Sequence, residues 1–196
     1  MLITKGNLLA CKESLRLAKL GYELMDRKRI ILMQELSKMM DDVKELRDVI
    51  DETYDKAYLS LQRANVSLGV IDRIANLMPV EEDIKIVYRS VMGIEIPKVT
   101  IEEKEVKIPY ALSVSNSRLD EVFLQMRQVK LYTAKLAELD NGMYRLAKAI
   151  EKSRKRANAL EQIVIPDLEI KIKTISDALE EKEREEFIRM KLVKKM

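Results

Sequence analysis

The densest grouping of side chains able to hold a metal lies near the C-terminus, where Glu180, Glu181, Glu183, Glu185 and Glu186 crowd one stretch. Closely spaced carboxylates suit a hard divalent cation. Here Lys182 and Arg184 interrupt the run, and opposite charges three and four residues apart on a helix pair with one another. The run therefore reads as helical ion pairs, and no metal site is expected. Histidine is absent and Cys11 is the single cysteine, which removes most zinc sites and every nucleophile–histidine pair. Neither a GxxxxGK phosphate loop nor a GxSxG turn occurs, so no nucleotide, no cofactor and no catalysis are expected of the chain itself. Cys11 falls on an apolar stripe, which assigns it to packing and fits a reducing cytosol. Of the 11 methionines, Met25, Met39, Met126 and Met143 lie along such stripes, and methionine reads the same way, as packing rather than a cofactor ligand.

What remains is charge. Arg27, Lys28 and Arg29 form one basic cluster and Lys152, Arg154, Lys155 and Arg156 another. Each is either a partner contact or a solvated helix face. Lys+Arg number 36 against 33 Asp+Glu, for a net charge of +3 with the signs interleaved. A nucleic-acid binder would carry a stronger basic bias, so no nucleic-acid partner is expected. The tail residues Lys191, Lys194 and Lys195 read as a solvated terminus rather than a lipid or nucleic-acid contact.

The elements that must position these charges are long helices. In 196 residues only 5 Gly and 4 Pro punctuate the chain, and aromatics make up 5%, too little bulky material for a thick globular core. Leu8, Cys11, Leu15, Ala18, Tyr22 and Met25, then Leu32, Leu36, Met39, Val43, Leu46 and Ile50, recur at steps of three and four, interrupted at Arg29. Thr53, Ala57, Leu61, Ala64, Leu68 and Ile71 carry the stripe on. A repeat near 3.5 residues predicts left-handed supercoiling against a second helix. Thr4 is the expected N-cap, and Pro79 ends the helix or the segment after it.

A second stripe starts after Ser115-Asn116-Ser117, a capping cluster, with Leu119, Val122, Met126, Val129, Thr133, Leu136, Met143, Ala147 and Ile150. It continues through Ala157, Leu160, Val164, Leu168, Ile172, Ile175 and Leu179, where the steps of four from Leu160 to Ile172 are expected to relax the supercoil. Pro166 sits inside this stripe and is expected to kink the helix. At about 70 residues and 1.5 Å per residue, each helix would measure on the order of 100 Å.

Residues 93 to 114 differ. Ile94, Ile96, Val99 and Ile101 alternate with polar residues, as do Val106, Ile108 and Tyr110, on either side of Glu102-Glu103-Lys104-Glu105. This predicts a β-hairpin with its turn at the charged cluster, and Pro97 and Pro109 suit edge strands. The fold class expected is mainly α: a long antiparallel two-helix coiled coil with a small central hairpin. Residues 1–78 and 115–196 supply the helices and 79–114 the centre, in one elongated structural unit. No apolar stretch approaches the roughly 20 residues of a membrane span, so no direct membrane insertion is expected.

The segment RANALEQIVIPDLEIKIKTI at 156–175, followed by LEEKEREEFIRMKLVKK at 179–195, resembles the C-terminal signature of the D-subunit family of V-type and archaeal-type ATP synthases. Arg156, Asn158-Ala159-Leu160-Glu161, Ile165-Pro166 and Leu168-Glu169 carry the likeness. At the other end Thr4-Lys5, Asn7-Leu8 and LRLAKLGYELMDRKR at 15–29 are similar to the family's opening helix. Tyr22, Ser153 and the short hairpin depart from the pattern.

The resemblance implies a non-catalytic rotor shaft of the central stalk, cytoplasmic and peripheral to the membrane, turning inside a catalytic hexamer of A and B subunits. It further implies contact with the small F subunit of the stalk and with a cup-shaped subunit that links to a membrane ring passing protons or sodium ions. On that basis Arg27, Lys28, Arg29, Lys152, Arg154, Lys155 and Arg156 are candidates for the hexamer contact. Ile94, Ile96, Val99, Ile101, Val106 and Ile108 are candidates for a docking hairpin. A coiled-coil adaptor explains the stripes equally well but not the conjunction of Asn158-Ala159-Leu160-Glu161 with Ile165-Pro166; a nucleic-acid-binding arm is opposed by the near-neutral charge.

Overall fold

The computed structural model describes residues 3–76, 84–101, 110–111 and 115–195. The first helix, α1, spans Lys5–Leu68, a stretch without proline. Thr4 starts it: its Oγ1 accepts the Asn7 N–H at 3.2 Å and its carbonyl accepts the Leu8 N–H at 3.1 Å, satisfying donors that a helix end leaves open. Gly69 ends it at φ +78, a left-handed conformation that only a residue without Cβ adopts cheaply, with its N–H on the Asn65 carbonyl at 2.9 Å. The stop thus comes before Pro79, which lies outside the described residues. A single turn, α2 (Asp72–Ala75), follows.

The second long helix, α3, spans Ser117–Ala159. Asn116 caps it, its Oδ1 accepting the Leu119 N–H at 3.1 Å. It runs through a π-helical turn at Leu160–Val164 into α4, Ile165–Lys195. Two compact units form. One comprises Met1–Ile31 and Ala149–Met196, the other Leu32–Lys148.

In the first unit the start of α1 lies antiparallel to the end of the C-terminal run. Lys5 Nζ meets Glu183 at 2.8 Å and Lys19 Nζ meets Glu169 at 2.8 Å. Ala18, Ser153, Ala157 and Ile175 are buried between the helices, and Cys11 is half-buried and unbridged. Beyond Glu183, Phe187, Ile188, Met190, Leu192 and Val193 are exposed.

In the second unit Leu32, Met39, Ile50, Ala57 and Ala64 from α1 are buried with Leu119, Val122, Val129 and Leu146 from α3. Cross-helix bonds fix an antiparallel register: Tyr54 Oη and Thr133 Oγ1 lie 2.9 Å apart, and Asn116 Nδ2 donates to Ser67 Oγ at 3.0 Å. Two buried hydroxyls, Thr53 and Ser60, donate back to carbonyls of their own helix, Val49 at 2.6 Å and Ala57 at 2.9 Å, so the seam carries them without unpaired donors. At one end Ala64, Ile71, Leu119 and Val122 form an apolar cluster joined by Tyr110 and Met126.

The α3 stripe differs from its sequence reading at Thr133, which is exposed, and at Ala147. Leu146 is fully buried whereas Ala147 is exposed, because the step of three from Met143, followed by four to Ile150, keeps Leu146 on the seam.

The hairpin is present, with a different partner arm. β2 (Ile94–Ile101) pairs antiparallel with β1 (Ile84–Val91), from Ile84↔Ile101 to Val91↔Ile94. The strand found paired with β2 thus precedes Gly93, where the sequence reading began the hairpin; the expected arm at Val106 and Ile108 lies outside the described residues. The reason is the turn. Met92 (φ 50) and Gly93 (φ 77) both take positive φ, the two-residue loop whose twist matches a right-twisted hairpin. Counting from the turn, Tyr88↔Pro97 is a pair that exchanges no ladder bonds, so the missing proline N–H costs the sheet nothing.

Candidate functional site

The charge clusters singled out in the sequence fall in the first unit. Gly21 and Leu160 are in register, since a Cβ on Gly21 would lie 3.8 Å from Leu160 Cδ1. Tyr22 Oη donates to Glu161 Oε1 at 3.3 Å, and the nearby Glu161 carboxylate, ahead of partial burial, raises the phenol's pKa. Lys28 stands seven residues after Gly21 and Ser153 seven before Leu160, so in antiparallel helices Arg27–Arg29 and Lys152–Arg156 share one level.

Their members differ in availability. Arg27, Lys152, Arg154 and Arg156 are exposed, and Lys28 is half-buried. Lys155 pairs with Glu151 at 2.7 Å. Arg29 occupies the stripe position at which the apolar series breaks; its guanidinium pairs with Asp26 at 2.6 Å while its Nε is buried without a partner among the described residues. Arg29 is thus mainly a structural residue of the seam, and the remaining cations are those open to a partner.

The acidic run behaves as ordinary helical charge. Glu180 pairs with Arg184 at 3.7 Å and Glu185 with Arg189 at 3.8 Å, while Glu183 reaches Lys5. Hydrogen bonding to Lys5 lowers the Glu183 pKa and raises that of Lys5. Both groups are fully exposed, so the pair orients more than it stabilises.

In the second unit apolar and polar contacts among the described residues hold the hairpin on the helices. Ile96, 2% exposed, fits over Gly142: a Cβ there would lie 3.1 Å from both Ile96 Cγ2 and Met39 Cε, so the close approach requires glycine. The outward N–H of Val99 donates to Glu138 Oε2 at 2.7 Å. Arg145 donates to the Glu95 carbonyl at 3.0 Å and lies 5.5 Å above the Tyr88 ring. Arg89 completes the set with a 2.7 Å bond to Glu35.

Of the four described hairpin candidates, Ile96 is therefore occupied by packing, and Ile94, Val99 and Ile101 are half-buried. The exposed apolar side chains belong to β1: Ile84, Ile86, Val87 and Tyr88. Sequence reasoning passed over them because it began the hairpin at Gly93; the signal was there in the alternation of IKIVYRSV before Met92-Gly93. It also passed over Leu17, Leu20 and Leu24, exposed on α1 at helical spacing beside the seam.

Among the described residues no helix is long and apolar enough to cross a membrane. Residues 7–195 match the family described as the ATP synthase D subunit. The D subunit of the V-type ATP synthase of Thermotoga neapolitana is 43% identical over 193 residues, spanning 97% of this chain and 95% of the relative. Its A-type counterpart from Pyrococcus horikoshii is 34% identical over 196 residues, spanning 97% and 92%. That of Methanopyrus kandleri is 34% identical over 195 residues, spanning 97% and 84%. With a family match over nearly its whole length and an antiparallel helix pair bearing a central hairpin, the chain belongs to the D-subunit family of V-type and A-type ATP synthases.

Proposed function

We propose that this chain is the non-catalytic rotor shaft of a V/A-type rotary ATPase, carrying torque between a catalytic hexamer of A and B subunits and a membrane ring that passes protons or sodium ions. The observation that carries the reading is the full-length family match on an antiparallel helix pair. Two helices locked by side-chain packing resist twisting better than either alone. The exposed cations Arg27, Lys152, Arg154, Lys155 and Arg156, with half-buried Lys28, suit a contact that must slide: exposed ion pairs contribute about 0–1 kcal/mol each and trap no single angle.

The hairpin is the docking element for a stalk partner, with the small F subunit the candidate. Ile96 braces it on Gly142, and the exposed apolar side chains of β1 face the partner, which can add along the edge of β1 away from β2, the geometry strand addition uses. The cup-shaped subunit over the ring completes the set of partners, and the whole is peripheral to the membrane on the cytoplasmic side. The test is reconstitution of the A/B hexamer with and without this chain, watching a probe attached to it. Unidirectional turning driven by ATP is expected; a probe that binds the hexamer yet never turns under ATP would sink the proposal.

A further inference from the structure

The seam of the C-terminal run steps by three and four with one exception. Ile150, Ser153, Ala157 and Leu160 turn inward, then Ile165, Leu168, Ile172, Ile175 and Leu179. The step from Leu160 to Ile165 is five. Steps of four through Val164, expected from the sequence, are not what the chain uses: Val164 is 37% exposed and Ile163 67%. In an unbroken α-helix five residues advance about 140° beyond a full turn, which would carry Ile165 to the far side.

The π-helical turn at Leu160–Val164 removes that error, the Ile165 N–H reaching back five residues to the Leu160 carbonyl. It amounts to one inserted residue, accommodated locally. Pro166 follows at once. A proline ring in a regular helix collides with the carbonyl four residues back, here Gln162, and offers no N–H. The wide turn makes room for the ring, but with Ile165 committed to Leu160 and no donor at 166, neither the four- nor the five-residue pattern supplies the Glu161 carbonyl with a donor of its own.

Directly opposite, α1 presents Gly21, the least helix-favouring residue after proline, with no side chain to set against Leu160. The polar contact that joins the helices at this level is the exposed 3.3 Å Tyr22–Glu161 bond. Both helices are thus weakened at the same height.

We propose that Gly21, the π-helical turn and Pro166 form a torsional hinge, the place where this helix pair yields elastically while the packed seam on either side stays in register. Its existence stands on the geometry alone; its use, to store twist between the steps of a motor, rests on the rotor reading. A seam lacking the inserted residue would run in unbroken steps of three and four, so the hinge is an addition to the coil and not a requirement of its packing.

The test compares the full-length chain with a variant lacking Ile163 and carrying Pro166→Ala, in which the step of five becomes four. By hydrogen exchange the native amides of 161–165 should exchange at least tenfold faster than those of 150–159 and 168–178, and the variant should abolish the difference while melting at a higher temperature. Equal protection across 150–178 in the native chain overturns the hinge whether or not the variant folds. In the reconstituted complex, stalled rotors carrying the regularised shaft should show a narrower angular spread than native ones. An unchanged spread removes the mechanical role and leaves the rotor reading intact; a native chain that never turns removes the rotor reading and leaves the exchange result standing.

Discussion

Replacing Ile96 by Ala tests whether the hairpin is held by its fit over Gly142. The substitution removes three buried carbons from a side chain 2% exposed. At about 0.8 kcal/mol per methylene the transfer loss is about 2.4 kcal/mol, and a residual cavity takes the range to about 2–5 kcal/mol. Since each 1.4 kcal/mol or so is tenfold, exchange of the ladder amides of β1 and β2 should accelerate on the order of 50-fold or more. Gly142→Ala alone introduces a methyl 3.1 Å from Ile96 Cγ2 and Met39 Cε. Its overpacking cost of about 1–3 kcal/mol outweighs a helix-propensity gain of about 1 kcal/mol. In the Ile96→Ala background Ile96 Cγ2 is gone and the flexible end of Met39 can swing into the vacated space, so the same change should be stabilising by about 1 kcal/mol as it keeps the helix gain. The sign of Gly142→Ala therefore reverses between backgrounds. Hydrogen exchange on the four chains measures it, and a like-signed, additive result would refute the packing argument.

Asn116→Ala should cost about 1 kcal/mol, within the range of about 0.5–2 for a lost N-cap, and it also severs the 3.0 Å bond to Ser67; a thermal melt reads the loss. Tyr110 is bonded to Asp120 at 2.6 Å, and burial, then that bond, push its pKa well above 10. A raised folded-state pKa contributes stability that is complete below the unfolded value near 10 and is lost as pH climbs through the folded one. Tyr110→Phe should thus be less stable than the native chain at pH 8, with the gap closing as pH is raised beyond 10 in a denaturation series; a gap that stays constant counts against the Tyr110–Asp120 bond.

Much of the architecture was legible because it is written in local chemistry. Thr4 and Asn116 cap their helices as their side chains and positions predict, and the α1 stripe from Leu32 to Ala64 is buried or half-buried at the seam residues named from its spacing. Strand β2 follows from its alternation. The family likeness at 156–175 holds over almost the whole chain. Of the candidate surfaces, the two basic clusters were legible as clusters, but the seam role of Arg29 and the exposed face of β1 were not.

Residue order alone thus settles whatever depends on neighbours within a turn or two: helix, strand, cap, and the existence of two matched stripes. Packing between distant segments made every choice among near-equal local options. Val164 and Ile165 are both apolar and adjacent, and only the line of the facing helix selects Ile165, at the expense of a π-helical turn. Alternation alone did not locate the start of the hairpin, and β2 pairs with 84–91 because Met92-Gly93 can turn through positive φ, with Ile96 seated over Gly142. Those selections rest on contacts between residues far apart in the chain, whose free energies no short window of sequence contains.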